Sequence, residues 1–199
     1  MTTRRALLLG GATALLAGCS QGSSWPGGDD NPPGAGGCRT PGQLVGFSRV
    51  AGAQLVYEQT RRPTSMKIDP AFLQQVNTWA EDWAALSGLG AIQAVVSFGA
   101  YVDKCQSYHQ LGRAFDITEL QHEAGTISMR YDQWQPGTAQ QLRNYWRVAA
   151  SLHLHFAYTL AYPFDSAHDD HVHVDNLVSK DGLSKFNSRP SLATGAARI

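Results

Sequence analysis

Residues 69–98 read DPAFLQQVNTWAEDWAALSGLGAIQAVVSF and contain the clearest structural pattern in the chain. Asp69 is suited to cap a helix, Pro70 to occupy its first position and Gly88 to end it, so we predict a helix over residues 70–87. Apolar residues recur at intervals of three and four and form one wide face: Phe72, Leu73, Val76, Trp79, Ala80, Trp83 and Leu86. This spacing is typical of a core-facing helix, and the apolar run after it predicts a buried strand over residues 91–98.

The remaining elements are read from the same kinds of pattern. Residues 54–58 are rich in apolar and β-branched side chains and predict a first strand. A second helix is predicted over residues 138–152, and two later apolar stretches, 154–160 and 171–174, predict strands. The fold class is therefore expected to be α+β, an antiparallel sheet with helices on one face.

Length and charge limit what the chain can do. Its 199 residues include 43% hydrophobic side chains, enough for one core, and we assign the folded domain to residues 41–190 and a tail to residues 191–199. Lys plus Arg equals Asp plus Glu at 16 each. Nucleic acid is therefore not an expected partner, because proteins that bind phosphate backbones usually carry an excess of basic residues. We also expect a monomer.

The N-terminus predicts export. Arg4 and Arg5 precede an apolar run over residues 6–17 that is too short to span a bilayer stably. Residues 16–19 read LAGC and resemble the bacterial lipobox, so residues 1–19 are interpreted as a signal peptide and Cys19 as the lipidated residue. Residues 20–40 are rich in Gly, Pro and Ser and predict a flexible tether. The expected location is the cell envelope, with a lipid anchor in the membrane; a plain secretory signal is the alternative.

Two cysteines remain once Cys19 is assigned to lipid. Cys38 and Cys105 would lie in an oxidising compartment, where paired cysteines usually bond, so a disulfide is predicted between them. Two free thiols are the alternative.

Two segments carry the chemistry. Residues 107–116 read SYHQLGRAFD and residues 168–175 read HDDHVHVD. Side chains alternate along a strand, so His171 and His173 project to one face and can reach one point, where a metal or a substrate would lie. Asp116 follows apolar residues on an expected half-buried strand, where an unpaired carboxylate is costly, and therefore needs a cation.

Two histidines and one aspartate match the ligand count of a catalytic zinc site, which keeps its fourth position for water. Nitrogen and oxygen ligands favour Zn²⁺, although ligand type alone leaves other divalent metals open. Gly112 would let the chain turn between His109 and Asp116.

Both segments resemble the motifs of a known superfamily. The first matches SxHxxGxAxD and the second HxH of the LAS zinc peptidases, which include D-alanyl-D-alanine carboxypeptidases, murein endopeptidases and the hedgehog fold. The HxxHxH arrangement of His168, His171 and His173 is most similar to murein endopeptidases and bacterial extensin-like C-terminal domains. The resemblance implies His109, Asp116 and His173 as metal ligands, His171 as the residue that handles protons and His168 as a further active-site histidine.

Some assignments stay open. Many of these peptidases use a Glu as the base, and this chain has histidines and Asp169, Asp170 and Asp175 there instead, so His171 is a candidate base and Asp175 a candidate acceptor for a ligand imidazole. Arg113 and Ser107 are candidates for binding substrate. His153 and His155 form another HxH pair, but it ends a predicted helix among apolar residues with no aspartate partner nearby, so we interpret these two as core or surface histidines.

The resemblance implies a zinc-dependent metallopeptidase that cuts amide bonds in peptidoglycan, acting as a D,D-carboxypeptidase or an endopeptidase. The alternative is an inactive zinc-stabilised module that binds cell wall or has a structural role. A structural site would be closed by a fourth protein ligand, whereas three ligands beside His171 and His168 would leave a position for water.

Overall fold

The computed structural model describes residues 40–104, 107–133, 137–176 and 185–186. Two helices are present in these ranges, α1 (Pro70–Leu86) and α2 (Ala139–His155). The strands in chain order are β1 (Val45–Phe47), β2 (Arg49–Val50), β3 (Ala53–Tyr57), β4 (Arg62–Pro63), β5 (Met66–Ile68), β6 (Ile92–Gly99), β7 (Ala114–His122), β8 (Gly125–Ser128), β9 (Tyr158–Leu160), β10 (Val172–Asp175) and β11 (Lys185–Phe186). Three single-turn 3₁₀ helices complete them, at Tyr108–Leu111, Tyr131–Gln133 and Ser166–His168.

The first helix begins and ends where its sequence predicts. The Asp69 carboxylate accepts hydrogen bonds from the backbone N–H groups of Ala71 and Phe72, which have no partner within the helix. At the other end the N–H of Ser87 donates to the carbonyl of Trp83, and Gly88 follows with φ of +73°. The predicted helix is confirmed.

The second helix is longer than predicted. Thr138 and Gln141 form a capping box, each side chain accepting from the other's backbone N–H. The helix continues through His155, so the predicted strand over residues 154–160 is wrong in its first half and starts only at Tyr158. The prediction counted Leu154 as part of a buried apolar strand. In the structure Leu154 belongs to the last turn of α2 and is 83% exposed.

The sheet is mostly antiparallel. Among the described residues, nine strands form one sheet in the order β11-β9-β10-β7-β6-β3-β2, with β4 added beside β3 and β8 beside β7. Its parallel pairs are β3–β6 and β9–β11. Strands β1 and β5 form a separate antiparallel pair. The predicted α+β class is confirmed, and the predicted strands 54–58, 91–98 and 171–174 correspond to β3, β6 and β10.

The core lies between the helices and the sheet. Trp79 and Trp83 of α1 are buried, as their spacing predicts. The Trp79 indole of α1 donates a hydrogen bond to Ser151 of α2, and the Phe72 ring of α1 packs edge-to-face on Phe156, the residue that follows α2. The buried faces of β7 and β10 contribute the side chains of Phe115, Ile117, Val172 and Val174. Because side chains alternate, the residues between these apolar ones face away from the core.

Neither α1 nor α2, the helices of the described ranges, combines the length and apolarity needed to cross a bilayer. The predicted signal peptide, tether and C-terminal tail lie outside the described residues, and these domain boundaries stay predictions.

Candidate metal site

Two neighbouring strands bring the two sequence motifs together. In the antiparallel pair β7–β10, His173 stands opposite Asp116, flanked by the pairs of Val172 with Ile117 and Val174 with Phe115. The four flanking side chains enter the core, so His173 and Asp116 share the opposite face of the sheet. Motifs more than fifty residues apart in sequence therefore meet at one register position.

The third residue, His109, reaches this face from a tight turn. Ser107 caps the 3₁₀ helix Tyr108–Leu111 and its hydroxyl accepts the backbone N–H of His109 at 3.2 Å. Gly112 ends that helix with φ of +67°, and its carbonyl accepts the N–H of Asp69 at 3.0 Å, which ties the turn to the start of α1. Ser107, predicted to bind substrate, thus has a structural role in holding the turn that carries His109.

The inner atoms of these three side chains converge. His109 Nε2 lies 3.2 Å from Asp116 Oδ2 and 3.3 Å from His173 Nδ1, and His173 Nδ1 lies 2.8 Å from Asp116 Oδ1. Zinc bonds of about 2.0–2.2 Å to nitrogen and oxygen place neighbouring ligands of a tetrahedron roughly 3.3–3.6 Å apart. Two of the three separations are close to that range and the third needs to open by about half an ångström. The donor set and its spacing fit zinc.

The outer ring nitrogens are held by acceptors. Since a carbonyl oxygen only accepts, His109 Nδ1–H donates to Ala100 O at 3.1 Å and Nε2 carries the inward lone pair. His173 Nε2 lies 2.9 Å from the Asp175 carboxylate, so Nδ1 is its inner atom. Asp175 therefore occupies the place predicted for an acceptor behind a ligand imidazole. Such outer bonds fix the orientation of metal-binding histidines.

Carboxylates dominate the electrostatics of His173. Burial lowers the pKa of this imidazole, but the hydrogen bonds and negative charges of Asp116 and Asp175 outweigh burial and raise it to about 10. Burial raises the pKa of Asp116, but the hydrogen bonds and charges of His109 and His173 outweigh burial. The pKa of Asp116 is therefore well below its ordinary value. The pocket thus favours a positive charge between these residues, which a proton or a metal ion can supply.

His171 and His168 stand beside this triad. His171 Nε2 lies 3.5 Å from Asp116 Oδ1, while its Nδ1 lies 2.7 Å from Asp170. His168 Nδ1 lies 2.6 Å from Asp165, and burial lowers the pKa of this imidazole more than Asp165 raises it. Two sets of residues offer ligand atoms within 4.8 Å of one another: His109 with Asp116 and His173, and His168 with His171 and His173. Both sets can bind a metal.

Aromatic rings line the side of the site formed by these two histidines. The Phe98 ring meets His171 edge-on at 5.8 Å between centroids, and the Phe164 ring meets His168 at 5.4 Å. The Arg130 guanidinium lies over the Phe98 ring, 6.0 Å from its centroid. Sequence reasoning missed these rings and also Asp165, whose only signal is its position three residues before His168.

The other predicted residues lie elsewhere. The half-exposed Arg113 guanidinium contacts the carboxylate of Asp69 at 3.4 Å, so its charge already has a partner. His153 and His155 end helix α2 and belong to neither ligand set of the described chain. The expectation that this pair lacks an aspartate is wrong, because His155 Nε2 lies 3.5 Å from Asp82 of α1, a helical neighbour that sequence distance hides. Cys19, Cys38 and Cys105 lie outside the described residues, and their lipidation and disulfide stay predictions.

Comparison with known proteins identifies one family. The family model for the extensin-like protein C-terminus matches residues 63–184, more than half of the chain, and this range contains both histidine motifs. No curated protein and no solved structure gives a significant match. With its two motifs inside the matched range, the chain belongs to the extensin-like family through that C-terminal domain.

Proposed function

We propose that the chain is a zinc-dependent peptidase that hydrolyses amide bonds in the peptides of bacterial peptidoglycan. The observation that carries this proposal is the convergence of His109 Nε2, Asp116 and His173 Nδ1 at 2.8–3.3 Å, with a further histidine beside them. Among the described residues, these three form one of the two sets that can hold a metal, and their separations are close to those of a three-ligand zinc site.

His109, Asp116 and His173 would hold the ion. When bound, zinc supplies Lewis-acid activation of water and of the scissile carbonyl. The chain's own contribution is to fix the ligands. Ala100 O and the Asp175 carboxylate orient the two imidazoles from behind, and the β7–β10 register sets the distance between His173 and Asp116.

His171 is the proposed general base. Its Nε2 faces Asp116 at 3.5 Å, next to the ligand atoms, and its Nδ1–H is held by Asp170 at 2.7 Å. A neutral imidazole oriented in this way accepts a proton at Nε2, and the Asp170 carboxylate stabilises the imidazolium that forms. The proton can then pass to the leaving amine. His168, held by Asp165, is the proposed second proton-handling residue on the same side.

The substrate class and location rest on sequence. The SxHxxGxAxD and HxH motifs resemble those of peptidoglycan peptidases, and the lipobox-like residues 16–19 support export and anchoring at the cell envelope through Cys19. We infer that the folded domain acts on the wall next to the membrane, with residues 20–40 as the tether.

A second candidate function is a zinc-stabilised binding module without catalysis. It is favoured by the position of His168 and His171, which with His173 form the second potential ligand set. If one of them closed the coordination shell of a single ion, the position that hydrolysis needs would be filled.

Digestion of purified peptidoglycan tests the proposal. The full chain, purified in detergent and supplied with zinc, is expected to release defined muropeptides that mass spectrometry identifies. A chelator and the His171→Ala variant should each abolish release, and His171→Ala should still bind one zinc. The matched control is His153→Ala, which removes a histidine outside both ligand sets and should leave release intact. Zinc binding without any products would support the binding module instead.

A further inference from the structure

We propose that His168 and His171 bind a second divalent cation, adjacent to the first, and that this second ion inhibits the enzyme. The inference rests on the proposed function for its inhibitory part, whereas the binding part stands on geometry alone. His168, His171 and His173 offer ligand atoms within 4.8 Å of one another, and so do His109, Asp116 and His173. The two sets share one residue, His173.

The two extra histidines are oriented as ligands are. The Asp165 and Asp170 carboxylates lie 2.6 Å and 2.7 Å from the Nδ1 atoms of His168 and His171. A carboxylate accepts, so each Nδ1 donates and each Nε2 keeps its lone pair. A carboxylate behind the imidazole is the arrangement that raises the basicity of metal-binding histidines. Both nitrogens are therefore prepared for a cation.

His173 cannot serve both ions. Its Nε2–H is held by Asp175 at 2.9 Å, so it offers only Nδ1, which faces His109 and Asp116. His168 and His171 would therefore hold the second ion without His173, and Asp116, whose Oδ1 lies beside His171, is the residue we propose as its third ligand. Oδ2 lies 3.2 Å from His109 Nε2, and Oδ1 lies 3.5 Å from His171 Nε2. Asp116 would then be the residue that the two ions share.

The charge around the histidines suits two ions. Four carboxylates make hydrogen bonds to the site histidines: Asp116, Asp165, Asp170 and Asp175. Their formal charge of −4 is neutralised by two divalent cations, whereas one cation leaves the site at −2. The side chains of Asp116 and Asp175 are only 16% and 6% exposed, so water screens their negative charge little and a cation nearby is favoured.

Inhibition follows from the nitrogen that the second ion uses. His171 Nε2 is the atom proposed to accept the proton, and a metal bound there removes its lone pair. Activity should therefore rise as the first zinc binds and fall again at higher zinc.

The test is a titration of the metal-free full chain with zinc chloride, followed by calorimetry and native mass spectrometry. The expected result is two bound ions, the second weaker than the first. Asp165→Asn should weaken the second ion by about 10- to 100-fold and leave the first unchanged. Asparagine still caps the 3₁₀ helix Ser166–His168, so this variant loses the charge and keeps the turn. His168→Ala should bind only one ion, and the control His153→Ala should bind two.

The outcomes separate the two proposals. A single ion in the wild-type chain at millimolar zinc, or a second ion that is unchanged in both Asp165→Asn and His168→Ala, would overturn the second site and leave the proposed peptidase intact. Absence of any bound zinc would overturn both. A second ion that binds as expected while muropeptide release continues undiminished would overturn the inhibitory role.

Discussion

His173 Nε2 lies 2.9 Å from the carboxylate of Asp175, two residues further along strand β10. Residues two apart on a strand share a face, so the strand itself supplies a ligand imidazole and the acceptor that orients it. Asp175 is 4% exposed, which shields this hydrogen bond from water. This hydrogen bond makes Asp175 part of the candidate metal site, although Asp175 is not a proposed ligand.

Asp175→Asn should therefore weaken the binding of the first zinc ion, the one held by His109, Asp116 and His173. Loss of the carboxylate lowers the basicity of His173 and loosens its orientation, and the expected fall in zinc affinity is about 10- to 100-fold. Competition with a chromophoric chelator measures it. The control is Asp103→Asn, which changes an exposed loop carboxylate and should have no effect. Equal affinity in Asp175→Asn and the wild type would refute this role.

The part of the site that lies on strands was predictable, and the part that depends on loops was not. The alternation of side chains along a strand is sufficient to predict that His171, His173 and Asp175 share one face. The carbonyl of Ala100, which orients His109, belongs to the backbone and leaves no trace in side-chain patterns. Helix α1 was predictable to within one residue because Asp69 and Gly88 mark its ends, whereas α2 continues past residue 152 without such a mark.

The hydrogen-bonded cluster around Glu58 depends on strand pairing that the sequence does not reveal. Glu58 is buried and accepts hydrogen bonds at 2.8 Å from Arg61, Thr118 and Arg130. Thr118 and Arg130 come from 60 and 72 residues away, a distance that local pattern cannot bridge. Arg61 is exposed but also pairs with Glu119. The pairing of β3, β6, β7 and β8 brings these side chains together.

Glu58→Gln should make the free energy of unfolding less dependent on pH in the acidic range. Burial raises the pKa of Glu58, but the hydrogen bonds from Arg130 and Thr118 and the charge of Arg61 outweigh it and lower the pKa below 4.5. A lowered pKa gives stability that is present above about 4.5 and lost as pH falls through the folded-state value. The variant should lose about 2–3 kcal/mol of unfolding free energy at pH 7 and have a flatter profile below pH 4.5.

Urea unfolding between pH 3 and 7 measures this difference. The matched control is Glu81→Gln on the exposed surface of α1, which should parallel the wild type. Parallel profiles for Glu58→Gln and the wild type would mean that Glu58 is not the titrating group.

Gly112→Ala should disrupt the turn that carries His109. At φ of +67° an added Cβ would lie 2.8 Å from the backbone nitrogen of Asp69 and 2.6 Å from Leu44 Cδ2. The backbone at Asp69 cannot yield without disturbing the hydrogen bond to Gly112 O and the start of α1. Gly88→Ala is the matched control, since Gly88 has φ of +73° with nothing within 4 Å of the added atom.

The two glycine variants separate conformational strain from steric clash. Gly88→Ala should cost about 1–2 kcal/mol of unfolding free energy, the penalty of a left-handed alanine. Gly112→Ala should cost about 2 kcal/mol more and also weaken zinc binding, because the clash moves the turn. Thermal unfolding and zinc titration of both proteins measure these effects. Equal losses in the two variants would contradict the close approach.

Removal of zinc should lower the melting temperature without unfolding the chain. The hydrophobic core contains Phe115, Ile117, Val172 and Val174, whereas Asp116 and His173 lie between them on the other face. The core therefore persists when the ion leaves. The folded state loses only the stabilisation that comes from binding zinc. At zinc about 100-fold above Kd, that stabilisation is about 2.7 kcal/mol, or roughly 5–10 °C for a domain of this size. Calorimetry with and without a chelator measures the shift, and far-ultraviolet circular dichroism at 25 °C should stay unchanged. Loss of that signal on chelation would instead indicate that the ion holds the fold together, as a structural zinc does.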